Sequence, residues 1–374
     1  MSALAKPAVP LISPAPVPAP AARLYFVNGL VDFLFLGGLS LLLYGALMVV
    51  GEPPMSGRQW NGGIYMLTWI CNWPHFAATS YRLYHSKQNI AQYPLTAVAV
   101  PILMVLVAAA SLAYPAVIAP YFMKFFLLWS PYHYSGQSLG ISLIYARRSG
   151  FILGRLERLA LTLFIFCTFL FSTARFEAGT MTGNYFSISF PPFGIPAIVP
   201  KLLGELMYVS GAVFIVLLLW WAVRHRRFFP LIILLPAVSQ FVWFVAAWRV
   251  KGFSDTVPFF HSLQYLLIAW AMQLKERMDE SGIAPSFRYV VSESARWGAG
   301  TVLLGIIFFW VLPRLLTFAG YSLMLTQPIV FGAVQVHHFF VDGVIWKLRN
   351  PKVRSPLLVN IDEMAGREAL PKMA

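Results

Sequence analysis

The sequence predicts an all-α protein that crosses a membrane several times, and three observations support this fold class. Of its 374 residues, 59% are hydrophobic and only 11% are charged, and the mean hydropathy is +0.69. A soluble protein of this size needs more polar surface. The apolar runs are near the roughly 20 residues that a helix needs to cross a bilayer, and they lack the alternation of a membrane β-strand.

Composition also limits the kinds of partner. The net charge of +14 would indicate nucleic-acid binding in a soluble protein. In a membrane protein, basic loops set the orientation, so we expect no nucleic-acid partner. The two cysteines, Cys71 and Cys167, fall inside apolar runs and therefore predict no disulfide framework.

The chain begins with a Pro/Ala-rich segment, residues 1–22, which we predict to be a disordered tail. Its prolines interrupt the apolar core that a cleavable signal peptide needs. A single transmembrane helical domain follows over residues 23–350, and a cytoplasmic tail over residues 351–374. About ten transmembrane helices are predicted, near residues 29–50, 62–80, 95–114, 117–146, 156–174, 202–223, 229–248, 256–274, 297–318 and 321–346.

The basic residues predict how these spans are oriented. With ten spans, one set of alternate loops, together with both tails, carries most of the 28 Lys and Arg residues. Basic loops face the cytoplasm, so we predict that both termini are cytoplasmic. Arg82, Arg147 and Arg148 follow directly after spans, and we expect their side chains to extend to the lipid headgroups.

The tenth predicted span carries His337, His338 and Asp342 inside an apolar, aromatic run. Ionisable side chains at membrane depth are energetically unfavourable and therefore indicate function. His338 and Asp342 are four residues apart and lie on one helical face, whereas His337 points about 100° away. An imidazole one turn from a carboxylate suits a metal site, because the carboxylate binds the ion or orients the ring.

Three further histidines, His75, His133 and His261, lie in the second, fourth and eighth predicted spans. All four histidine-bearing spans are even-numbered and hence parallel, and their histidines lie about 10–21 Å from the inner end of a core roughly 30 Å thick. The histidines therefore form a band near the midplane. We predict one shared metal site with ligands drawn from His75, His133, His261, His337 and His338.

Polar residues accompany these histidines at helical spacing. Gln137 follows His133 by four residues, and Gln264 follows His261 by three. Residues three or four apart lie on the same helical face, so they can hydrogen-bond to an imidazole and fix its orientation. The predicted partners of this kind are Gln137, Gln264, Gln335 and Asp342.

The residue types leave several cofactors open. Neutral imidazoles with a carboxylate suit iron, zinc, copper or manganese, and two histidines on different helices can also hold haem. The absence of cysteine clusters argues against an iron–sulfur centre. Since the sequence has no hydrolytic nucleophile motif, phosphate-binding loop or dinucleotide fingerprint, we favour non-haem iron and an oxygenase or oxidoreductase. The sequence identifies neither catalytic residues nor a redox partner.

Aromatic residues flank the histidines and make up 16% of the chain, which suits a membrane lipid or another hydrophobic small molecule as substrate. A proton- or metal-coupled transporter is the alternative. Pro74 and Pro131 each precede a histidine closely, and transporters often have broken helices at their binding sites. A haem-binding electron-transfer subunit is a third reading.

A multi-span chain with histidines on several helices resembles the bacterial membrane-embedded carotene dioxygenases of the bacteriorhodopsin-related protein family. It is similar, more distantly, to the histidine-rich membrane desaturases and hydroxylases. The resemblance implies that His75, His133, His261 and His338 are iron ligands and that the substrate is an isoprenoid or an acyl chain. We expect the chain to lie in the bacterial inner (cytoplasmic) membrane.

Overall fold

The computed structural model of the chain describes residues 24–51, 62–63, 65–346, 357 and 360–367, and of Thr68 only the backbone. The predicted disordered tail, residues 1–22, lies outside the described residues. So does most of the predicted cytoplasmic tail over residues 351–374.

The described residues are almost entirely helical, which confirms the predicted all-α class. The helices in chain order are α1 (Gly29–Val50), α2 (Trp73–Tyr84), α3 (Lys87–Gln92), α4 (Leu95–Ala113), α5 (Ala119–Arg148), α6 (Arg155–Glu177), α7 (Ile198–His225), α8 (Leu231–Arg249), α9 (Val257–Ser281), α10 (Phe287–Ala319), α11 (Leu323–Ile345) and α12 (Ile361–Met364). Two short strands, β1 (Gly183–Tyr185) and β2 (Ile188–Phe190), form an antiparallel hairpin between α6 and α7.

Seven helices among the described residues are long and apolar enough to cross a membrane, and they indicate an integral membrane protein. They are α1, α4, α6, α7, α8, α10 and α11. Three other predicted spans, near 62–80, 117–146 and 256–274, overlap α2, α5 and α9, and each of these helices ends beyond its predicted span. The helices α5 and α9 are 30 and 25 residues long but carry many polar side chains. Many of these side chains are buried against other helices, so they need not be apolar enough to face lipid.

A kink in α1 brings this helix close to the middle of the protein. The turn Leu34–Gly38 is π-helical, and Gly37 has φ +142°. A Cβ atom on Gly37 would lie 2.0 Å from Ser239 Oγ of α8, so only glycine fits here. Beside the kink, the carbonyl of Leu36 accepts a hydrogen bond of 2.6 Å from Gln264 Nε2 of α9. The kink therefore ties α1 to both α8 and α9.

A buried ion pair holds the segment that follows the hairpin. Lys124 Nζ of α5 donates to Glu177 Oε2 at 2.8 Å and to the Pro191 carbonyl at 2.6 Å. Glu177 Oε2 also accepts a hydrogen bond of 2.6 Å from the backbone N–H of Phe193. The Lys124 ammonium lies over the Phe193 ring, 3.4 Å from its centroid. One lysine thus links α5, the end of α6 and the chain beyond β2.

The prediction that Arg148 extends to the headgroups is wrong. Its side chain is 2% exposed, and its guanidinium donates to the backbone carbonyls of Leu24, Tyr25 and Leu357 at 2.6–2.9 Å. A planar guanidinium offers five donors, so it can satisfy several carbonyls that helix ends and loops leave unpaired. Arg148 therefore joins the end of α5 to segments near both ends of the chain.

Candidate metal centre

Four helices bring one histidine each to a common point: His75 of α2, His133 of α5, His261 of α9 and His338 of α11. The Nε2 atom of His338 lies 3.0 Å from Nε2 of His75 and 3.1 Å from Nε2 of His133. The ring centroid of His261 lies 5.0 Å from that of His75 and 5.1 Å from that of His133. The sequence predicted that these four imidazoles would meet, and the structure places them together.

The ligand atoms fall into two overlapping groups that share His133. One nitrogen each of His75, His133 and His261 lie within 4.8 Å of one another, and so do ligand atoms of His133, His338 and Asp342. Asp342 Oδ2 is 3.5 Å from His338 Nε2 and 3.8 Å from His133 Nε2. Ligands bound at 2.0–2.2 Å lie about 3.0–3.6 Å apart around one ion. We call these four histidines and Asp342 the histidine cluster.

Asp342 is therefore placed to bind an ion directly, which is one of the two roles that the sequence left open for it. The carboxylate is 8% exposed and lies one helical turn from His338. A carboxylate among four neutral imidazoles would supply the only negative charge of the cluster and offset part of the charge of a bound cation.

Aromatic rings fix the planes of two of the imidazoles. Tyr134 stacks on His261 with centroids 3.8 Å apart and an angle of 20° between the rings. Phe339 stacks on His133 with centroids 4.7 Å apart and an angle of 29°. Each of these aromatic residues directly follows a histidine of the cluster in the sequence. Rings held in this way have their nitrogen atoms oriented before any ligand binds.

Thr79 connects several members of the site one helical turn away from the histidines. Its hydroxyl donates to Asp342 Oδ1 at 3.1 Å, lies 2.9 Å from His338 Nδ1, and is in close hydrogen-bond contact with the Tyr265 hydroxyl. With Asp342 as a carboxylate, the single hydroxyl proton of Thr79 goes to Oδ1. The Thr79 oxygen then accepts from His338 Nδ1 and from the Tyr265 hydroxyl, which also lies 3.5 Å from Asp342 Oδ1. This places the proton of His338 on Nδ1 and leaves Nε2 free as a metal ligand.

Sequence reasoning missed Thr79 and Tyr265, although a signal for both was present. Thr79 follows His75 by four residues and Tyr265 follows His261 by four. The same spacing had selected Gln137 and Asp342 as same-face partners of their histidines. All four positions one turn beyond the histidines therefore carry a polar side chain. Trp346 Nε1 also donates to Asp342 Oδ1, at 3.1 Å, and Trp346 follows Asp342 by four residues.

The predicted glutamine partners contact other groups. Gln137 Nε2 donates to the carbonyl of His261 at 2.9 Å and to Gln264 Oε1 at 3.2 Å. Gln264 in turn donates to the backbone of α1, as described above. Gln335 is buried beside Tyr185 of the hairpin. These amides connect the helices around the histidine cluster, while Thr79 makes the direct contact with an imidazole.

His337 lies apart from the histidine cluster. Its Nε2 atom is 3.0 Å from the Tyr84 hydroxyl, and the two rings stack with centroids 5.9 Å apart. The side chain faces a separate apolar cavity of about 420 Å³ lined by residues of α2, α4, α10 and α11. The structure thus does not bring His337 to the other predicted ligands, in keeping with its rotation of about 100° from His338 on the helix.

Several polar atoms of the buried histidines have no hydrogen-bond partner among the described residues. They are His75 Nδ1 and both nitrogen atoms of His261. Buried polar atoms without a partner are unfavourable by about 1–3 kcal/mol each. Convergent imidazole nitrogens are also the donor set that transition metals prefer. A bound cation would therefore stabilise this arrangement, and the residues present fit one.

A cavity of about 290 Å³ adjoins the cluster between α5, α9 and α11, and we call it the α5–α11 cavity. His133 and Asp342 form part of its wall. The remaining wall is mainly apolar and includes Trp129, Tyr132, Ile141, Ile144, Ile268 and Phe339. An apolar molecule in this cavity would contact the same imidazole and carboxylate that can hold an ion.

No protein-family model matches the chain, and no curated protein or solved structure is significantly similar to it. A function must therefore be argued from the chemistry of the histidine cluster and its cavity.

Proposed function

We propose that this chain is a membrane-embedded, metal-dependent oxidoreductase, specifically a non-haem iron oxygenase that acts on a lipid or isoprenoid substrate. The convergence of four imidazoles and one carboxylate beside an apolar cavity carries this proposal. Such a donor set is suited to a redox-active ion, and the cavity is suited to a water-insoluble molecule.

The number and type of donors favour iron over zinc and haem. Structural zinc sites take four ligands, and catalytic zinc sites take three protein ligands and one water. Of the five possible ligands, His133, His338 and Asp342 form one close set, and two histidines with one carboxylate are the set typical of non-haem iron oxygenases. Haem takes at most two histidines, one on each face of a wide macrocycle, whereas His338 Nε2 lies about 3 Å from Nε2 of both His75 and His133.

In this proposal, the residues of the site have three different roles. The four histidines and Asp342 would provide the ligands for the ion, and the ion would supply the activation of dioxygen. Thr79 keeps the proton of His338 on Nδ1, so that Nε2 would be available to bind the ion. The apolar walls of the α5–α11 cavity keep water away and hold the substrate against the face formed by His133 and Asp342.

We also propose how the whole chain crosses the membrane. Ten spans, with both termini in the cytoplasm of a bacterial inner membrane, follow if α2, α5 and α9 cross together with the seven apolar helices. The cluster supports this count, because α2, α5, α9 and α11 each supply one histidine to the same point. Four helices that meet at one depth are most simply all transmembrane.

Metal analysis of purified protein and of single histidine variants tests the proposed site. We expect about one iron per chain without the Soret absorption of haem, and at least tenfold less iron in His75→Ala, His133→Ala and His338→Ala. His337→Ala is the matched control, since this neighbour of His338 contacts Tyr84 instead, and it should keep its iron. Size-exclusion chromatography in detergent monitors folding of each variant.

Three outcomes would contradict the proposal. A Soret band would indicate a haem protein, and protein without any bound metal would favour a transporter in which the histidines carry protons. Equal loss of iron in His337→Ala and His338→Ala would show that the loss does not depend on the cluster.

A further inference from the structure

One residue that lines the α5–α11 cavity has a buried hydrogen-bond acceptor without a partner among the described residues. This atom is Oε1 of Gln137, which lies on α5 one helical turn beyond His133. A buried amide oxygen without a donor is unfavourable, and native proteins pair almost all such atoms. A donor on a bound molecule would satisfy it.

The orientation of the Gln137 amide is fixed by a chain of hydrogen bonds that starts at a backbone carbonyl. The Leu36 carbonyl can only accept, so the side-chain nitrogen of Gln264 must face it. Gln264 Oε1 then faces Gln137 and accepts from its Nε2 atom. The His261 carbonyl accepts from the same nitrogen. A flipped Gln137 would place its oxygen against two acceptors, so Oε1 is the atom left free.

The shape of the cavity indicates a long and slender ligand. Its wall on α5 runs from Trp129 to Ile144, which is about 22 Å at 1.5 Å per residue. Three wall residues are glycines, Gly136 and Gly140 of α5 and Gly343 of α11. A Cβ atom built on any of the three meets nothing within 4 Å, so the space beside them is open.

We propose that the α5–α11 cavity binds a long apolar molecule carrying a hydroxyl group, and that this O–H donates to Gln137 Oε1. The chain of the molecule passes Gly136 and Gly140. The inference rests on the proposed function and deepens it by naming the substrate class, a long-chain or isoprenoid alcohol. A neutral hydroxyl fits better than an ammonium group, because a metal cation held by the adjacent cluster would repel a second positive charge.

Binding of two matched probes tests this assignment. Tritiated 1-hexadecanol carries the O–H donor, and tritiated hexadecyl methyl ether has the same chain without it. Binding of each to the purified protein in detergent is measured by scintillation proximity. We expect the preference for the alcohol over the ether to be about tenfold larger in the wild type than in Gln137→Leu, since one buried hydrogen bond is lost. The side chain of Gln137→Asn is one methylene shorter, so its amide oxygen lies farther from the bound hydroxyl. This variant should lose the preference as well.

The glycine surface is tested with variants that fill the space. Gly140→Phe should weaken the binding of both probes at least tenfold. Gly300→Phe on α10 is the matched control, because its Cβ also meets nothing within 4 Å but it does not line this cavity. Gly300→Phe should bind both probes like the wild type.

The outcomes separate this inference from the proposed function, because iron content is measured on the same samples. Full iron content with an equal alcohol preference in wild type and Gln137→Leu would overturn the inference. Unchanged binding in Gly140→Phe would also overturn it. A preference that depends on Gln137 in protein without iron would support the binding site and contradict the iron oxygenase.

Discussion

At the scale of single residues, the site depends on Thr79 as much as on the histidines. Its hydroxyl contacts the imidazole of His338, the carboxylate of Asp342 and the phenol of Tyr265. With Asp342 ionised, these three contacts occupy the one donor and both acceptor positions of the hydroxyl. A hydroxyl can donate once and accept twice, so the side chain of a threonine or a serine can satisfy these three partners together. Thr79 thus sets the tautomer of His338 and the position of Asp342.

Replacement of Thr79 tests this role. Thr79→Val keeps the shape of the side chain but removes its donor and acceptors, so we expect a 10- to 100-fold weaker affinity for the metal. Thr79→Ser retains the hydroxyl and should bind metal nearly as the wild type does. Competition with a chelator measures the affinities.

Thr168→Val on α6 is a suitable control, because Thr168 is equally buried but, among the described residues, its hydroxyl bonds only to the Ile165 carbonyl in its own helix. If Thr79→Val held the metal as tightly as Thr79→Ser, the tautomer of His338 would not depend on Thr79.

At the scale of helices, the sequence predicted the membrane class and the similar depth of four histidines in their spans, because both depend on local patterns. Hydropathy identifies long apolar helices, and helical spacing places Asp342 on the face of His338. Contacts between distant segments could not be predicted in this way. The burial of Arg148 depends on backbone carbonyls near both chain ends, and a single sequence does not show which segments meet there.

The ion pair between Lys124 and Glu177 is another long-range contact and leads to a prediction about stability. Each side chain is 6% exposed, and Glu177 also accepts from the Phe193 N–H. Glu177→Gln leaves a buried ammonium without its counter-charge, so we expect a loss of about 3–5 kcal/mol. Thermal unfolding in detergent should therefore show a much lower Tm than that of the wild type.

The exposed pair between Lys275 and Asp279 provides the comparison. Asp279 is 54% exposed, and exposed pairs contribute only about 0–1 kcal/mol, so Asp279→Asn should hardly change the Tm. Similar Tm values for Glu177→Gln and Asp279→Asn would show that the Lys124 pair does not hold the segment after the hairpin.

At the scale of the whole molecule, polar helices lie at the centre and carry the site. α9 buries His261, Gln264 and Gln273 among other side chains, whereas α4 and α7 expose many apolar residues. Polar groups within a membrane are stable only where protein surrounds them. The arrangement explains why α2, α5 and α9 are less apolar than the other helices although they build the cluster.

The number of spans can be tested with two introduced cysteines. Met181, before the hairpin, and Ala284, between α9 and α10, are both exposed. If α2, α5 and α9 all cross the membrane, these two positions lie on opposite sides. If only the seven apolar helices cross, two spans, α7 and α8, separate them and they lie on the same side.

We expect the ten-span result when Met181→Cys and Ala284→Cys are made in a chain whose buried Cys71 and Cys167 are replaced by alanine. A membrane-impermeant maleimide should label Met181→Cys in intact spheroplasts and Ala284→Cys only in inverted vesicles, because basic loops face the cytoplasm. The loop at Ala284 is followed by Arg288 and Arg296, whereas the segment at Met181 has one basic neighbour, Arg175. Labelling of both cysteines from the same side would exclude ten spans, and the four histidines would then have to meet without four crossing helices.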